Sequence, residues 1–310
     1  MLGRKQNPGL AAIQVRKDRI DVANVSRNSG ARPMVDSCVS FRRDGDDPDI
    51  LSRVRREAHL DKFRCSTLLA AGEYQLQVLE APSVPQAEVK QAVRWRLKDV
   101  LDYAVDAATI DVLSVPTDPA SPTRTRSVFA VAAKNELVAA RMEMFSAAKI
   151  PLAVIDIPEM AQRNMAALFE VKGRGLALLS IDEDRGLLTF TAGGELYLSR
   201  SVDVGFTQLL LADAAQRAQL FDRIVLELQR SLDHFDRQFS SLPVAKVLVA
   251  PMSDDVGLES YLVENLYVPV AVADLESVLD FTQVPELAGK AMQAQHFMSL
   301  GAALRSEALT

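Results

Sequence analysis

A chain of 310 residues with 48% hydrophobic content can bury roughly three quarters of its unfolded surface, enough for two compact lobes without disulfide staples. A formal net charge of -6 supplies no overall positive field to gather phosphates, which argues against a nucleic-acid protein. Cys38 and Cys65 stand far apart with no C-x-x-C, and His59, His234 and His296 form no pattern with them. No metal framework is expected, and two scattered thiols fit a reducing cytoplasm.

The N-terminus MLGRKQNPGLAAI lacks the apolar core of a secretory signal, and Arg4 and Lys5 read as a solvated tail. No uninterrupted apolar run approaches the roughly 18 residues of a spanning helix, so a cytoplasmic protein is expected. Leu10 to Val15 and Ile20 to Val25 flank the charged run Arg16, Lys17, Asp18, Arg19, the pattern of a hairpin. A third strand is predicted over 35–41. The polar loop 42–49, RRDGDDPD, precedes a helix over 50–60, its acids suited to the helix dipole. Strands follow over 64–69 and 74–79.

The stretch Val84 to Pro116 is the most informative in the chain. Pro85 suits a first helical turn. Val89, Ala92, Val93, Leu97, Val100 and Leu101 then recur at the three- and four-residue steps of a buried helix stripe. Trp95, the only tryptophan, lies beside that stripe and reads as core, with a ligand platform as the alternative. Strands over 109–115 and 128–133 flank a Pro/Ser/Thr/Arg loop, 116–126, of the kind expected to be mobile.

A helix over 135–148, a strand over 153–156 and a helix opened by Pro158 and running to Phe169 complete the first half. After the link 171–175, strands over 176–181, 187–191 and 196–202 repeat the order of the first hairpin series, which points to a duplicated framework. A long helix over 214–239 carries Ile224, Leu228, Leu232, Phe235 and Phe239 on one face. A buried strand over 245–250, a helix over 257–264, a strand over 268–272 and a last helix over 291–305 end the chain. No catalytic constellation is apparent, since none of the histidines sits in a serine or cysteine pattern.

Five blocks in this order, VPQAEVKQAVRWRLKDVLDYAVDAATIDV, VFAVAAKNELVAARMEMFSAAKIPLAVIDIPEMAQRNMAAL, ALLSIDEDRGLLTFTAGGELYLSRSVDVG, LELQRSLDHFDRQFSSLPVAKVLVAP and HFMSLGAALR, resemble the PilM family of type IV pilus assembly proteins. Its short, divergent MSHA-type members are the nearest likeness. The resemblance implies an α/β fold of the actin-like, ribonuclease H-like duplicated kind, with two lobes, a nucleotide cleft between them and an inserted α/β subdomain. In this chain the first lobe would span 1–175 with the insertion at about 84–152, the second lobe 176–290, and a C-terminal helix within 291–310 would pack back on the first lobe.

Carried over by position, the family's nucleotide motifs are degenerate. Gln14 stands where an acid is expected in the first phosphate loop, and Arg16, followed by Lys17, where a glycine is. In the second loop an acid is lost at Ser180 and a glycine is replaced by Asp182. Ala250 and Pro251 stand at the adenosine turn, and Glu227 and Arg230 match helix positions flanking the adenosine. Glycine allows backbone to approach phosphate closely, and Pro251 supplies neither that freedom nor a donor. Asp182, Glu183 and Asp184 would face a triphosphate with like charge, at about 4 kcal/mol per contact at 4 Å and an effective dielectric of 20. Against this, acids can hold magnesium and Arg16 with Lys17 can clamp phosphates.

No cofactor is therefore expected, ATP with magnesium being what a retained pocket would take. Alternatively, Arg16 or Lys17 pairs directly with Asp182 or Asp184 across the cleft and holds the lobes shut. The competing expectation is solvated turn charges, which a separation beyond about 8 Å would favour. The resemblance further implies a groove for the N-terminal peptide of a PilN-like inner-membrane protein, with Val93, Trp95, Leu97, Leu101, Tyr103 and Val105 as candidates, about half of them core instead. Three functions stay open: a non-catalytic adaptor held at the inner membrane through its partner, with a motor ATPase as a further partner, a nucleotide-binding switch or weak ATPase, and the cytoplasmic part of a type II secretion protein.

Overall fold

The structure, a computed structural model, describes residues 10–27, 31–118 and 125–306. Arg4, Lys5 and the centre of the 116–126 loop lie outside them. Strands β1 (Leu10–Val15), β2 (Arg19–Ser26) and β3 (Met34–Arg42) form an antiparallel meander. Helix α1 (Asp47–Glu57) follows, with Asp47 and Asp49 in its first turn and Arg55 and Arg56 in its last, each complementing the helix dipole. It starts ahead of the expected 50 because the acids of the loop themselves build the first turn, around Pro48. Strand β4 (Arg64–Leu68) lies parallel to β1, and β5 (Tyr74–Glu80), helix α2 (Gln86–Leu97), β6 (Ala108–Ser114), β7 (Ser127–Lys134) and helix α3 (Asn135–Ala147) come next. Strand β8 (Leu152–Asp156) then returns to pair parallel with β4, and helix α4 (Pro158–Ala166) leads out of the first half.

The second half repeats this plan with β9 (Gly175–Ile181), β10 (Gly186–Ala192), β11 (Glu195–Val202), helix α5 (Phe206–Leu211), helix α6 (Ala214–Gln238), β12 (Val244–Val249), helix α7 (Leu258–Asn265), β13 (Val270–Val272), helix α8 (Leu275–Val278) and helix α9 (Lys290–Ala303). The two large sheets have orders β3-β2-β1-β4-β8 and β11-β10-β9-β12-β13. Each is three antiparallel strands continued by two parallel ones, so the duplication visible in the sequence is a duplication of topology. Neither α5 nor α8 is predicted by periodicity, both being too short to show it.

A third sheet, β5-β7-β6, interrupts the first between β4 and β8. It begins at Tyr74, not near 84, because β5 pairs along its whole length with β7, from Tyr74↔Ala133 to Glu80↔Ser127. Helix α2 covers one face of this sheet, burying Val93 and Leu97 against Ile110, Val128 and Ala130.

The core is continuous from one half to the other. Helix α6 opens on a reciprocal cap, Gln216 N donating to Asp213 Oδ1 at 2.8 Å and Asp213 N to Gln216 Oε1 at 3.1 Å. It buries Ile224, Leu228, Leu232 and Phe235 on the second sheet, where Phe235 stacks on Phe190 at 5.0 Å. Helices α4 and α9 are buried on nearly all sides and cross at Gly301, where any Cβ would stand 2.3 Å from Ala161 O. Asn164 Nδ2 donates to Gly301 O at 3.0 Å. Just beyond α9, Arg305 donates to Asp156 at the end of β8. Gln162 of α4, fully buried, donates to Leu178 O at 2.7 Å and to Thr189 Oγ1 at 2.9 Å, tying this helix to the second sheet. Among the described residues no helix is long and apolar enough to cross a membrane.

Candidate functional site

The hairpin turn after β1 and the hairpin turn after β9 meet. The first is closed by Arg16 N donating to Arg19 O at 2.8 Å, the second by Asp182 N donating to Arg185 O at 2.9 Å and Glu183 N to Asp182 Oδ1 at 2.9 Å. Arg16 Nη1 reaches Asp182 Oδ1 at 2.8 Å and Oδ2 at 3.0 Å. Lys17 Nζ lies 3.4 Å from Asp184 Oδ2, and Arg19 Nη1 lies 3.4 Å from Glu183 Oε1. The first two are direct pairs of the kind that the sequence left as an alternative to solvated charges, and the third was not foreseen.

Behind the first turn sits Asp21, whose side chain is 0% exposed. It lies 3.3 Å from Arg16 Nε and 3.2 Å from Arg19 Nε, and it accepts from Ser40 Oγ and from Gln295 Nε2 at 3.2 Å. Burial works against the charge on Arg19, but Asp21, Asp18 and Glu183 outweigh it and raise its pKa. Arg43 Nη1 donates to Arg16 O at 2.8 Å while its Nε and Nη2 grip both oxygens of Asp47, at 2.6 and 2.7 Å, fixing the turn to α1. That bidentate bond raises the Arg43 pKa. The second turn is backed by the segment after β11. Phe206 N donates to Asp182 O at 2.8 Å and Thr207 N to Glu183 O at 3.2 Å. Gly205 is required there, since a Cβ would lie 2.4 Å from Glu183 O.

Of the eight residues expected to line a nucleotide cleft, Arg16, Lys17 and Asp182 lie where the two turns meet. Ser180 is buried and donates to Gln162 Oε1 at 2.6 Å, bracing α4. Ala250 is buried and its N–H continues the sheet to Leu179 O at 2.8 Å. Glu227 and Arg230 pair with each other on α6 at 3.3 Å. Gln14 keeps a buried Oε1 with no hydrogen-bond partner. A magnesium triphosphate seated between the turns does not fit this arrangement. The amides of Arg16, Asp182 and Glu183 are already engaged in the turns, and Arg16 with Asp182 spans the gap. Among the described residues no group of three or more His, Cys, Asp and Glu could hold a metal ion.

The partner-binding candidates separate by exposure. Val93 and Leu97 are 0% exposed and belong to the core of the inserted subdomain. Leu101, Tyr103 and Val105 are half-buried against that core, the Tyr103 ring 5.4 Å beneath Lys134 Nζ. Trp95 is the reverse of the core residue expected, being 69% exposed. Two residues from both Val93 and Leu97, it is turned about 200° from each on a helix of 3.6 residues per turn, which is opposite the buried stripe and not beside it. A cleft of about 340 Å³ also opens where the inserted sheet meets α4 and β11, lined by Leu113, Pro116, Phe129, Met160, Arg163 and Leu196. Its lining comes from four separate segments, which no sequence pattern would have joined.

Sequence reasoning missed Asp21 and the roles of Arg19, Glu183 and Arg43. A signal for Asp21 was present: a strand alternates faces, so Arg19 and Asp21 share one, and a carboxylate between Ile20 and Val22 needs a counter-charge.

No protein-family model matches the chain, and no curated protein does. Solved structures do. A PilM-PilN type IV pilus biogenesis complex is similar with a TM-score of 0.71 and 20% identity, over 96% of this chain and 98% of that one. A Bacteroides thetaiotaomicron protein with an actin-like ATPase fold and unknown function is similar with a TM-score of 0.50 and 9% identity, over 89% of this chain and 94% of that one. The cytoplasmic domain of EpsL, an inner-membrane component of the type II secretion system of Vibrio cholerae, gives 0.49 at 13% identity, over 96% of each. Two sheets of like topology, an insertion between β4 and β8, and likeness over most of the chain to the first two of these structures together establish that the chain has the actin-like fold.

Proposed function

We propose that this protein is a cytoplasmic actin-like adaptor of a type IV pilus assembly machine, of the MSHA type and nearest to the biogenesis protein MshI, held at the inner membrane through a bitopic PilN-like partner. The observation that carries this reading is the end-to-end likeness to the structure of a PilM-PilN complex, in agreement with the five blocks of sequence. The partner's N-terminal peptide docks in a groove beside the inserted subdomain. Trp95 is the candidate wholly at the surface, while Leu101, Tyr103 and Val105 are half-buried against the core of the inserted subdomain. An extended peptide there gains affinity from backbone pairing and from pockets for alternate apolar side chains. A motor ATPase is a further partner of the same assembly.

The paired charges between the turns favour an adaptor that works without ATP hydrolysis over a nucleotide-dependent switch. Titration of the protein with a synthetic N-terminal peptide of the PilN-like partner tests the main reading. Trp95 is the only tryptophan, so docking beside it shifts the intrinsic emission to shorter wavelength, and Trp95→Ala weakens capture of the peptide on beads. Absence of any binding at high micromolar peptide would sink the adaptor. Equilibrium dialysis with labelled ATP and magnesium addresses the rival: micromolar binding lost on changing Glu227 or Arg230 would establish the switch instead.

A further inference from the structure

We propose that the three ion pairs between the hairpin turns form a clasp that holds the two lobes closed with no ligand between them. Closure is then a fixed property of the chain, made by its own side chains where a bound phosphate would otherwise have to bridge the turns. This goes beyond the adaptor reading and does not depend on it.

The pairing is ordered. Arg16, Lys17 and Arg19 on one turn meet Asp182, Asp184 and Glu183 on the other, and Arg16 and Asp182 are 166 residues apart in sequence. Every cation of the first turn faces a carboxylate of the second, and Asp18, the acid of the first turn, shares Arg19 Nη1 with Glu183, at 3.1 and 3.4 Å. Both turns are stiffened from behind, the first by Asp21 and by Arg43, the second by the Gly205 to Thr207 segment packed on its backbone. The charged heads are therefore presented by rigid hairpins, which lowers the ordering cost that makes most surface pairs weak.

The pairs are unequal. The Arg16 side chain is 13% exposed and contacts both oxygens of Asp182, whereas Lys17 and Asp184 are 87% and 75% exposed. Arg16 to Asp182 is the part that resists salt, and Lys17 to Asp184 the part that yields to it. The turns lie at the ends of β1 and β9, while Ala12 and Leu178 within those strands join the apolar core shared with α4 and α9. The lobes are thus joined at the base by packing and at the mouth by charge.

The test is a distance between lobes in the full chain. Spin labels are placed at Glu57→Cys on α1 and Val263→Cys on α7, both exposed. The buried Cys38 and Cys65, whose pKa values burial pushes up, the latter to about 12, are replaced by alanine. Pulsed electron resonance is expected to show one narrow distance that millimolar ATP with magnesium leaves unchanged. Asp182→Lys with Asp184→Lys, which alters two exposed carboxylates and leaves Asp21 paired, raises the ratio of longer to shorter distances about tenfold. Lys17→Glu combined with Asp184→Lys, which exchanges the charges of one pair and leaves Arg16 on Asp182, keeps the narrow distance. In unsubstituted turns, 1 M salt, with a screening length of about 3 Å, broadens it. A distribution indifferent to charge reversal and to salt in folded protein would overturn the clasp, as would a broad one that narrows only when ATP is added. No partner peptide enters the experiment, so its failure leaves the adaptor reading standing.

Discussion

Asp21 is the residue on which the first turn depends, and removing its charge has a calculable consequence. Its carboxylate is fully buried and lies 3.3 and 3.2 Å from two guanidinium Nε atoms, those of Arg16 and Arg19. Deleting one partner of a buried pair costs about 3–5 kcal/mol, because the remaining charge is left without compensation. Here both arginines retain a second carboxylate, Asp182 for Arg16, Asp18 and Glu183 for Arg19. Those acids are 47% to 67% exposed and compensate only in part, so the lower end of the range applies and Asp21→Ala should cost about 3 kcal/mol. Asp21→Asn keeps a hydrogen-bonding side chain for Ser40 and Gln295 but loses the charge, which places it nearer 1.5–3 kcal/mol, roughly the worth of a charge-assisted bond.

Urea unfolding followed by far-ultraviolet circular dichroism reads this directly. With a slope of about 3 kcal/mol/M, the alanine variant loses about 1 M in midpoint. A loss below about 0.5 kcal/mol, the range of ordinary surface substitutions, would refute the claim that Asp21 anchors the turn. A second comparison isolates the chain of contacts. In Asp21→Ala with Asp182→Ala, Arg16 has lost both of its carboxylate partners, so the double variant is destabilised by more than the sum of the single ones, by roughly 0.5–3 kcal/mol. Additivity would show that Asp21 and Asp182 do not act through Arg16.

Two further expectations concern the inserted subdomain and the response to pH. Leu97→Ala should cost about 2–5 kcal/mol as a buried truncation, whereas Trp95→Ala should stay within about 0.5 kcal/mol in thermal or urea unfolding; equal losses would return Trp95 to the core. Burial lowers the His296 pKa, partly offset by Asp21 and reinforced by Arg19 and Arg16. The unfolded chain therefore binds the proton more readily, and stability falls as pH drops below about 6.5 toward the lower folded value. His296→Gln should flatten that acid limb relative to wild type. His234, also lowered by burial, contributes with the same sign, whereas Glu159, raised by burial, contributes with the opposite one, so the difference between wild type and variant is what decides. An unchanged slope in the His296 variant would remove His296 as its source.

Most of the framework was legible because it depends on local periodicity. Leu10–Val15 and Gly175–Ile181 are near-continuous apolar runs, each followed by a charged turn and a second strand, and the sheets form at those places. The long α6 carries its cap and its apolar stripe openly in the residues Asp213 to Phe235. The insertion boundary was less legible, because Tyr74–Glu80 is an unremarkable alternating strand whose partner, Ser127–Lys134, lies some fifty residues on. The face of α2 was misjudged for a different reason. Its stripe is narrow, only Val93 and Leu97 being fully buried, and a tryptophan two positions from both was credited to the core for its size instead of being placed by angle.

What joins the two turns was beyond any local signal. Composition shows a chain of net charge -6, and each turn alone looks like a solvated loop with charges to spare. Only when two copies of one topology face each other do Arg16, Lys17 and Arg19 come opposite Asp182, Asp184 and Glu183. The actin-like arrangement implied by the resemblance therefore offered the pairing only as an alternative to solvated charges, and the structure supplied the distances and the buried Asp21 that makes one of the contacts more than a surface pair. A cation at the tip of one turn and an acid at the tip of the other are complementary to each other. A fold whose two halves are related by repetition can thus be joined at its mouth through one loop in each half, with both sheets left intact.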